Sequence, residues 1–342
     1  MDVGKDALGK KPRPVTGKRE PDWSAPGLVE KVADASIRFK TIWIDHAPQE
    51  AIIGQLREYR LETLGRRGVP LNGRRLSQWT QAGKSACMWR LKHLLAQERA
   101  DQGLPPNKYQ VVIITINKRM TLKQFYQQIL KELADAFVDE RVIRRPRGSN
   151  DEFENKSLGA LEQRVAEWVV RLEVDMIVAD EAQRLDRESS DASDVTERIQ
   201  VFLDRGVVPL VLVGNHKSRE FFEKNGELAA RLSRPMQLHP LDPETRADAR
   251  LFKKFCQSFN EQLEASGIFS APSALDTDEV LDALAAVSSG HVGRVARLIE
   301  EALPNAIRRG AASIEVFDLS TATREYAIGN GWVAHDPFST PY

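Results

Sequence analysis

The chain has 342 residues, of which 49 are lysine or arginine and 49 are aspartate or glutamate, so its formal net charge is zero. This length predicts one large domain and one smaller domain, each with its own core. The balanced charge excludes a strongly basic protein, so any nucleic-acid surface must be local. Two cysteines without metal-ligand spacing, and the lack of an apolar run long enough to span a membrane, predict a soluble protein of the reducing cytoplasm.

The start of the chain is rich in lysine, arginine and proline and has no periodic apolar pattern. Such a composition cannot bury a core, so we predict a mobile basic arm over residues 1–27. The arm is either a solvated tail or a segment that contacts DNA phosphates or a partner protein. From Leu28 a helical pattern begins, and it continues between Gln49 and Leu64. This pattern predicts a helical collar at the start of a nucleotide-binding domain that spans residues 28–240.

A phosphate-binding pattern follows the collar. The segment Gln78–Ser85 matches G-x-x-x-x-G-K-[ST] except at its first position, where Gln78 replaces glycine. Gly83 allows backbone N–H groups to approach a phosphate, Lys84 supplies a cation, and the Ser85 hydroxyl suits Mg²⁺. We therefore predict a site for ATP and Mg²⁺. Its predicted contacts are Gln81, Ala82, Gly83, Lys84, Ser85 and Ala86.

Several apolar, β-branched runs predict strands that are covered on both faces, and helical patterns separate them. The predicted strands are 75–79, 109–116, 174–179, 207–213 and 236–238, and the predicted helices between them include 85–97, 122–137 and 158–172. Thr121 is a suitable N-cap for the second of these helices. This alternation predicts an α/β fold with a doubly wound parallel sheet.

Polar side chains follow the third and fourth predicted strands. Asp180 can hold the Mg²⁺ shell and Glu181 can orient and deprotonate an attacking water, although taken alone such a pair is equally compatible with solvated carboxylates. Asn215 is placed either to hydrogen-bond a γ-phosphate or the attacking water, or to form a turn. Arg231 and Arg234 precede the last strand, and either guanidinium suits a phosphate in a neighbouring subunit.

The pattern becomes wholly helical from residue 241 onward. Predicted helices at 244–264, 277–288 and 293–308 form a lid domain over residues 241–312, and a C-terminal helix and tail occupy residues 313–342. Arg294 lies in the first turn of the third helix. A cation there is unfavourable with the helix dipole, so we expect Arg294 to face an anion.

The combined motifs resemble those of AAA+ P-loop NTPases, which have a doubly wound parallel sheet and a small all-helical lid. The motifs are Gly83-Lys84-Ser85, Asp180-Glu181-Ala182-Gln183, Gly214-Asn215, the Arg231/Arg234 pair and Gly290–Arg294. More narrowly, the collar, the segment Thr121–Leu130 and the short lid are similar to the TniB/TnsC transposition regulators, which are related to the phage Mu B protein.

These resemblances imply specific roles. Lys84 and Ser85 would belong to Walker A, Asp180 and Glu181 to Walker B, Asn215 would be sensor 1, Arg294 sensor 2, and Arg231 or Arg234 the trans-acting finger. The narrower resemblance implies an ATPase that forms rings or filaments on double-stranded DNA, selects a target site, recruits or activates a DDE transposase, and works with a TniQ-like protein. ATP hydrolysis would drive its disassembly. DNA contacts without sequence preference would come from Lys118, Arg119 and Lys123.

Two other interpretations stay open. One is another DNA-associated AAA+ or STAND-like ATPase, of the helicase-loader or initiator type. The other is a nucleotide-gated scaffold with negligible hydrolysis, whose function lies in assembly alone.

Overall fold

The computed structural model describes residues 20–66, 68–79, 81–118, 120–139, 156–185 and 192–339. The strands are β1 Arg74–Ser77, β2 Val111–Thr115, β3 Met176–Asp180 and β4 Leu210–Gly214. The helices are α1 Leu28–Phe39, α2 Ala47–Leu64, α3 Lys84–Asp101, α4 Leu122–Asp139, α5 Leu158–Arg171, α6 Ala192–Asp204, α7 Lys217–Lys224, α8 Gly226–Ala230, α9 Arg246–Ala265, α10 Asp278–Ser288, α11 Val292–Arg308 and α12 Val316–Ala322. Among these residues, no helix is both long and apolar enough to cross a membrane.

The chain forms two compact units, residues 47–239 and residues 1–46 with 240–342. The first unit contains a parallel sheet in the order β1-β4-β3-β2. Ile177 and Ala179 face an apolar cluster built with α4, α5 and α6, whereas Met176 and Val178 point to the other face and are also fully buried. Both faces are therefore covered, as the apolar strand sequences predict.

The carboxyl ends of the parallel strands meet at one edge of the sheet. Thr115 pairs with Asp180 across β2 and β3, and Ser77 pairs with Gly214 across β1 and β4. The loops that leave these strands carry the predicted phosphate loop, the acidic pair and Asn215. Strand register thus brings together segments that are about a hundred residues apart in sequence.

The prediction of a fifth strand at residues 236–238 is wrong, because these residues do not form a regular strand. The segment is reduced to an isolated parallel bridge between Leu76 and Met236 among the described residues. The Met236 N–H still donates to the Arg75 carbonyl at 2.9 Å. On the other side of Pro235, Gly73 forms a second isolated bridge with Leu232, so this segment meets the β1 side of the sheet at separate points and not in a continuous ladder.

The second unit is helical, and it includes part of the predicted collar. Ala35 and Phe39 of α1 belong to the same apolar cluster as α9, α10 and α11, and the Phe39 and Phe259 rings lie 5.7 Å apart. The assignment of residues 28–46 to the nucleotide domain therefore differs from the structure. The reason is tertiary packing, because the apolar face of α1 is buried against helices that lie two hundred residues later.

Segments near both ends of the described residues also pack on this helical unit. The Asp22 N–H donates to the Arg308 carbonyl, and the Arg308 guanidinium lies 5.0 Å from the centre of the Trp23 ring. Residues 20–27 are thus docked, while the rest of the predicted arm, residues 1–19, lies outside the described residues. Near the other end, Trp332 and Phe338 pack against the helical core, so the irregular tail is anchored as well.

Candidate functional site

The phosphate loop lies between β1 and α3. Gly83 has a φ of 90° and is the last residue before α3, which begins at Lys84. A Cβ atom on Gly83 would lie 2.3 Å from Nε2 of Gln49, so a side chain there would have to displace the Gln49 amide. Gln78, which replaces the first glycine of the pattern, is absent from the residues with positive φ, and its N–H donates to the Gly214 carbonyl. The left-handed conformation falls on Gln81 instead, with a φ of 63°.

Lys84 is folded back on its own loop. Its Nζ donates to the carbonyl oxygens of Gln78 at 2.9 Å and Trp79 at 2.7 Å. Burial lowers the pKa of Lys84, while the nearby carboxylates of Asp180 and Glu181 act in the opposite direction. Among the described residues the Lys84 ammonium group donates to neutral carbonyls, and it can exchange them for the oxygens of an anion, which are stronger acceptors for a cation.

Ser85 and Asp180 are the two groups that fit a magnesium ion. The Ser85 hydroxyl is 3.5 Å from Oδ2 of Asp180, while Oδ1 of the same carboxylate accepts the Glu181 N–H at 2.7 Å. Hydroxyl and carboxylate oxygens are the donor types that Mg²⁺ prefers, and Mg²⁺ usually keeps most of its ligands as water or substrate phosphate. The sparse protein donor set is therefore the expected one.

Glu181 has an unusual backbone and two side-chain contacts. Its φ is 66°, a left-handed conformation that costs a non-glycine residue about 1–2 kcal/mol. Its Oε2 accepts from Nε2 of Gln183 and from Nη2 of Arg184, both at 2.9 Å. Arg184 also donates through Nη1 to the Ile116 carbonyl at the end of β2. Sequence reasoning missed both Gln183 and Arg184, because no local pattern shows that they turn back to the carboxylate.

Asn215 follows β4, and both its backbone N–H and its side chain form hydrogen bonds. Its N–H donates to Oε1 of Gln183 at 2.9 Å, and its own Oδ1 accepts the Lys217 N–H at 3.0 Å. Next to it, the His216 ring stacks on Trp79 of the phosphate loop, with centroids 4.1 Å apart. The Trp79–His216 stack was not predicted, and it joins the phosphate loop to the segment after β4.

The structure thus brings the phosphate loop, Asp180, Glu181 and Asn215 together at one edge of a parallel sheet. Residues 79–222 match a family model described as an AAA domain. Orc1 of Aeropyrum pernix, solved in complex with DNA, is 20% identical, with a TM-score of 0.53 over 83% of this chain and 66% of that chain. This chain has the AAA+ P-loop fold. The predicted fold class is confirmed.

Two other AAA+ structures are similar at the level of the fold. Cdc6p from Pyrobaculum aerophilum is 13% identical, and the ORC2 protein of Aeropyrum pernix, solved as ADPNP and ADP complexes, is 11% identical. Each has a TM-score of 0.56 over 84% of this chain and 70% of the other chain. The chain therefore spans about two thirds of the length of these archaeal proteins. A sequence search of curated proteins found no match.

The arginines predicted to complete an AAA+ site lie in different settings. Arg231 is exposed and binds both carboxylate oxygens of Asp204, at 3.1 and 3.3 Å. Arg234 is exposed and has no hydrogen bond or ion pair among the described residues. Arg294 belongs to the helical unit, where its guanidinium lies 5.3 Å from the Trp332 ring centre and burial lowers its pKa. The roles of all three stay predictions.

The predicted DNA-contact segment begins directly after β2. Lys118 is exposed, Lys123 is half-buried in the first turn of α4, and Arg119 lies outside the described residues. Thr121 caps α4 as predicted, because its Oγ1 accepts the Gln124 N–H while the Gln124 side chain accepts the Thr121 N–H. This reciprocal cap fixes the entry into the helix beside Lys118.

Proposed function

We propose that this protein is a Mg²⁺-dependent ATPase of the AAA+ type that assembles on double-stranded DNA. The observation that carries the proposal is the meeting of Lys84, Ser85, Asp180, Glu181 and Asn215 at the carboxyl edge of one parallel sheet. Ligands of open α/β sheets bind at this edge, and an anion there also faces the N-terminus of α3. The residues present are those that phosphoryl transfer to water requires.

Each residue has a distinct task in this scheme. Lys84 leaves the loop carbonyls and binds the β- and γ-phosphates of the substrate. Ser85 and Asp180 would hold a magnesium ion, which would neutralise phosphate charge. Glu181 accepts a proton from the attacking water, and Asn215 orients the γ-phosphate or that water. An arginine from a neighbouring subunit, Arg231 or Arg234, completes the charge stabilisation.

The DNA part of the proposal rests on two supports. Lys118 is exposed at the same edge of the sheet as the nucleotide site, so phosphate contact there is close in space to Walker B. The Orc1 protein of similar fold was solved in complex with DNA. Contacts to the DNA backbone release counterions and carry no sequence information.

At a finer level, the resemblance of the collar, the Thr121–Leu130 segment and the lid to TniB/TnsC proteins favours a regulator of DNA transposition. In this role the protein forms a ring or filament on target DNA, recruits a DDE transposase and answers to a TniQ-like targeting protein. The fold similarity to Orc1, Cdc6p and ORC2 favours a second candidate, an initiator-type or loader-type ATPase.

The first experiment combines nucleotide binding with electron microscopy. We expect rings or filaments to form on double-stranded DNA when ATP is present and not when it is absent. Lys84→Ala should abolish nucleotide binding and assembly, and Glu181→Gln should bind ATP, hydrolyse it very slowly and leave assemblies locked on DNA. Equal disassembly rates for wild type and Glu181→Gln would contradict a hydrolysis-driven switch and favour the scaffold interpretation.

The DNA surface needs a test of its own. Lys118→Glu should weaken DNA binding for all sequences and flatten the salt dependence, because fewer counterions are released. Lys131→Glu is the matched control, since Lys131 is also exposed but lies in the middle of α4, away from the sheet edge. Equal effects of the two variants would show that the DNA surface lies elsewhere. Binding assays with a purified DDE transposase and with a replicative helicase would then separate the two finer candidates.

A further inference from the structure

Gln183 joins two parts of the nucleotide site with one side-chain amide. Its Nε2 donates to Oε2 of Glu181 at 2.9 Å, and its Oε1 accepts the backbone N–H of Asn215 at 2.9 Å. Glu181 follows β3 and Asn215 follows β4, so the amide spans the gap between two adjacent strand ends. No other described side chain forms hydrogen bonds with both residues.

The surroundings of Gln183 fix the direction of this amide. A Cβ atom on Gly214 would lie 2.6 Å from Oγ of Ser218 and 3.0 Å from Oε1 of Gln183, so the glycine leaves room for both side chains. Gln183 itself lies in the 3₁₀ turn Ala182–Leu185, which is anchored by buried Ala182 and Leu185. Since the N–H of Asn215 is a donor and the Glu181 carboxylate an acceptor, only a side chain that both accepts and donates can satisfy the two partners.

The bridge also distinguishes the two oxygens of Glu181. Oε2 is occupied by Gln183 and by Arg184, whereas Oε1 accepts no hydrogen bond among the described residues. A general base needs one oxygen available to the water from which it takes the proton. The contacts of Gln183 and Arg184 therefore hold the carboxylate by one oxygen and leave the other for chemistry.

We propose that Gln183 is a positioning residue that couples the orientation of Glu181 to the position of the Asn215 segment. This inference rests on the proposed ATPase function. When the γ-phosphate shifts the segment after β4, the Gln183 amide moves with Asn215 and changes the orientation of the Glu181 carboxylate. Among the described residues Gln183 forms no hydrogen bond with Lys84 or Ser85, so we expect its loss to act on turnover and not on nucleotide affinity.

Gln183→Glu separates the two halves of the bridge without changing the shape of the side chain. The introduced carboxylate still accepts the Asn215 N–H, but when ionised it cannot donate to Glu181. The matched control is Gln163→Glu, because exposed Gln163 also donates to a glutamate, Glu167, at 2.9 Å. We expect Gln183→Glu to lower kcat on the order of 10- to 100-fold, a part of what a positioned general base contributes.

The split between kcat and ATP affinity identifies the mechanism. Gln183→Glu should lower kcat and leave ATP affinity near wild type, because the hydrogen bond that it loses is made to Glu181 and not to the phosphate loop. Gln163→Glu should change neither quantity.

Gln183→Leu removes both hydrogen bonds of the bridge. Its effect is measured as the rate of backbone amide hydrogen exchange at Asn215, in protein labelled with ¹⁵N-asparagine. Exchange should accelerate in Gln183→Leu and stay near wild type in Gln183→Glu, with ATP affinity within about twofold of wild type in both. An unchanged kcat, or a fall in ATP affinity equal to the fall in kcat, would overturn the positioning role while the ATPase function stands. A wild-type protein that binds no ATP would overturn both.

Discussion

Gly83→Ala tests the geometry of the phosphate loop most directly. Gly83 has a φ of 90°, where alanine costs about 1 kcal/mol. The new Cβ would lie 2.3 Å from Nε2 of Gln49, whose side chain is 5% exposed and donates to the Gly83 carbonyl. Displacing that amide leaves a buried polar group unpaired, at a further cost of about 1–3 kcal/mol. We expect the free energy of unfolding to fall by about 2–4 kcal/mol and ATP affinity to fall with it.

The assay is urea unfolding, combined with titration of a fluorescent ATP analogue, and two variants calibrate it. Gly68 also has a positive φ, 82°, but a Cβ atom added there would meet no heavy atom within 4 Å. Gly68→Ala should therefore cost only about 1 kcal/mol and leave ATP affinity unchanged. Combining Gly83→Ala with Gln49→Ala should bring the stability loss back toward that value. If Gly83→Ala costs no more than Gly68→Ala, the steric reasoning is refuted.

Three further predictions concern other parts of the molecule. Burial lowers the pKa of His46 from 6.5 to about 4, so between these pH values the histidine is protonated in the unfolded chain but not in the folded one. As pH falls from 7 to 4, wild type should therefore lose about 3 kcal/mol more stability than His46→Phe, measured by urea unfolding. Arg309→Met leaves buried Asp318 unpaired and should cost about 3–5 kcal/mol, much of which Asp318→Leu restores in the double variant; a cost below 1 kcal/mol would contradict this. Arg234→Ala should lower DNA-dependent kcat on the order of 10³-fold, and Arg231→Ala, whose side chain is already paired within its own subunit, far less; the reverse order would reassign the finger.

The buried ion group of the helical unit explains why the second of these effects should be large. Arg309 and Asp318 are almost wholly inaccessible and form two hydrogen bonds, at 2.7 and 2.8 Å, while Glu315 contacts the same guanidinium. The group ties the end of α11 to the start of α12. Both charges are removed from water. When one of them is deleted, the other stays buried with neither its charged partner nor solvent around it.

Much of the nucleotide-binding unit could be predicted because its signals are local. The run Val111–Thr115 is β-branched and apolar, so it predicts a strand covered on both faces, and that strand forms and pairs with β3 at the end of the sheet. Thr121 and Gln124 are three residues apart and cap α4 as such a pair predicts. The glycine before Lys84 likewise has the backbone freedom that its position in the pattern requires.

The setting of Glu181 could not be predicted in the same way. The sequence places a carboxylate after a buried strand, but its left-handed φ is imposed by the tertiary structure against the preference of the residue. Its contacts with Gln183 and Arg184 depend on a 3₁₀ turn, and the contact of Gln183 with Asn215 depends on strand order. Neighbours 32 residues apart in sequence have no local pattern that reports their contact.

The sequence by itself determined the chemical groups of this protein: a phosphate loop, an acidic pair after a buried strand, and an amide after the next one. These are properties of residue type and short-range spacing. Only the tertiary structure decided that α1 belongs with the C-terminal helices and that the predicted fifth strand is a single bridge. It also decided that one amide joins Glu181 to Asn215. These features arise from packing between distant segments, where the burial of a shared apolar face or the register of two strands outweighs local preference.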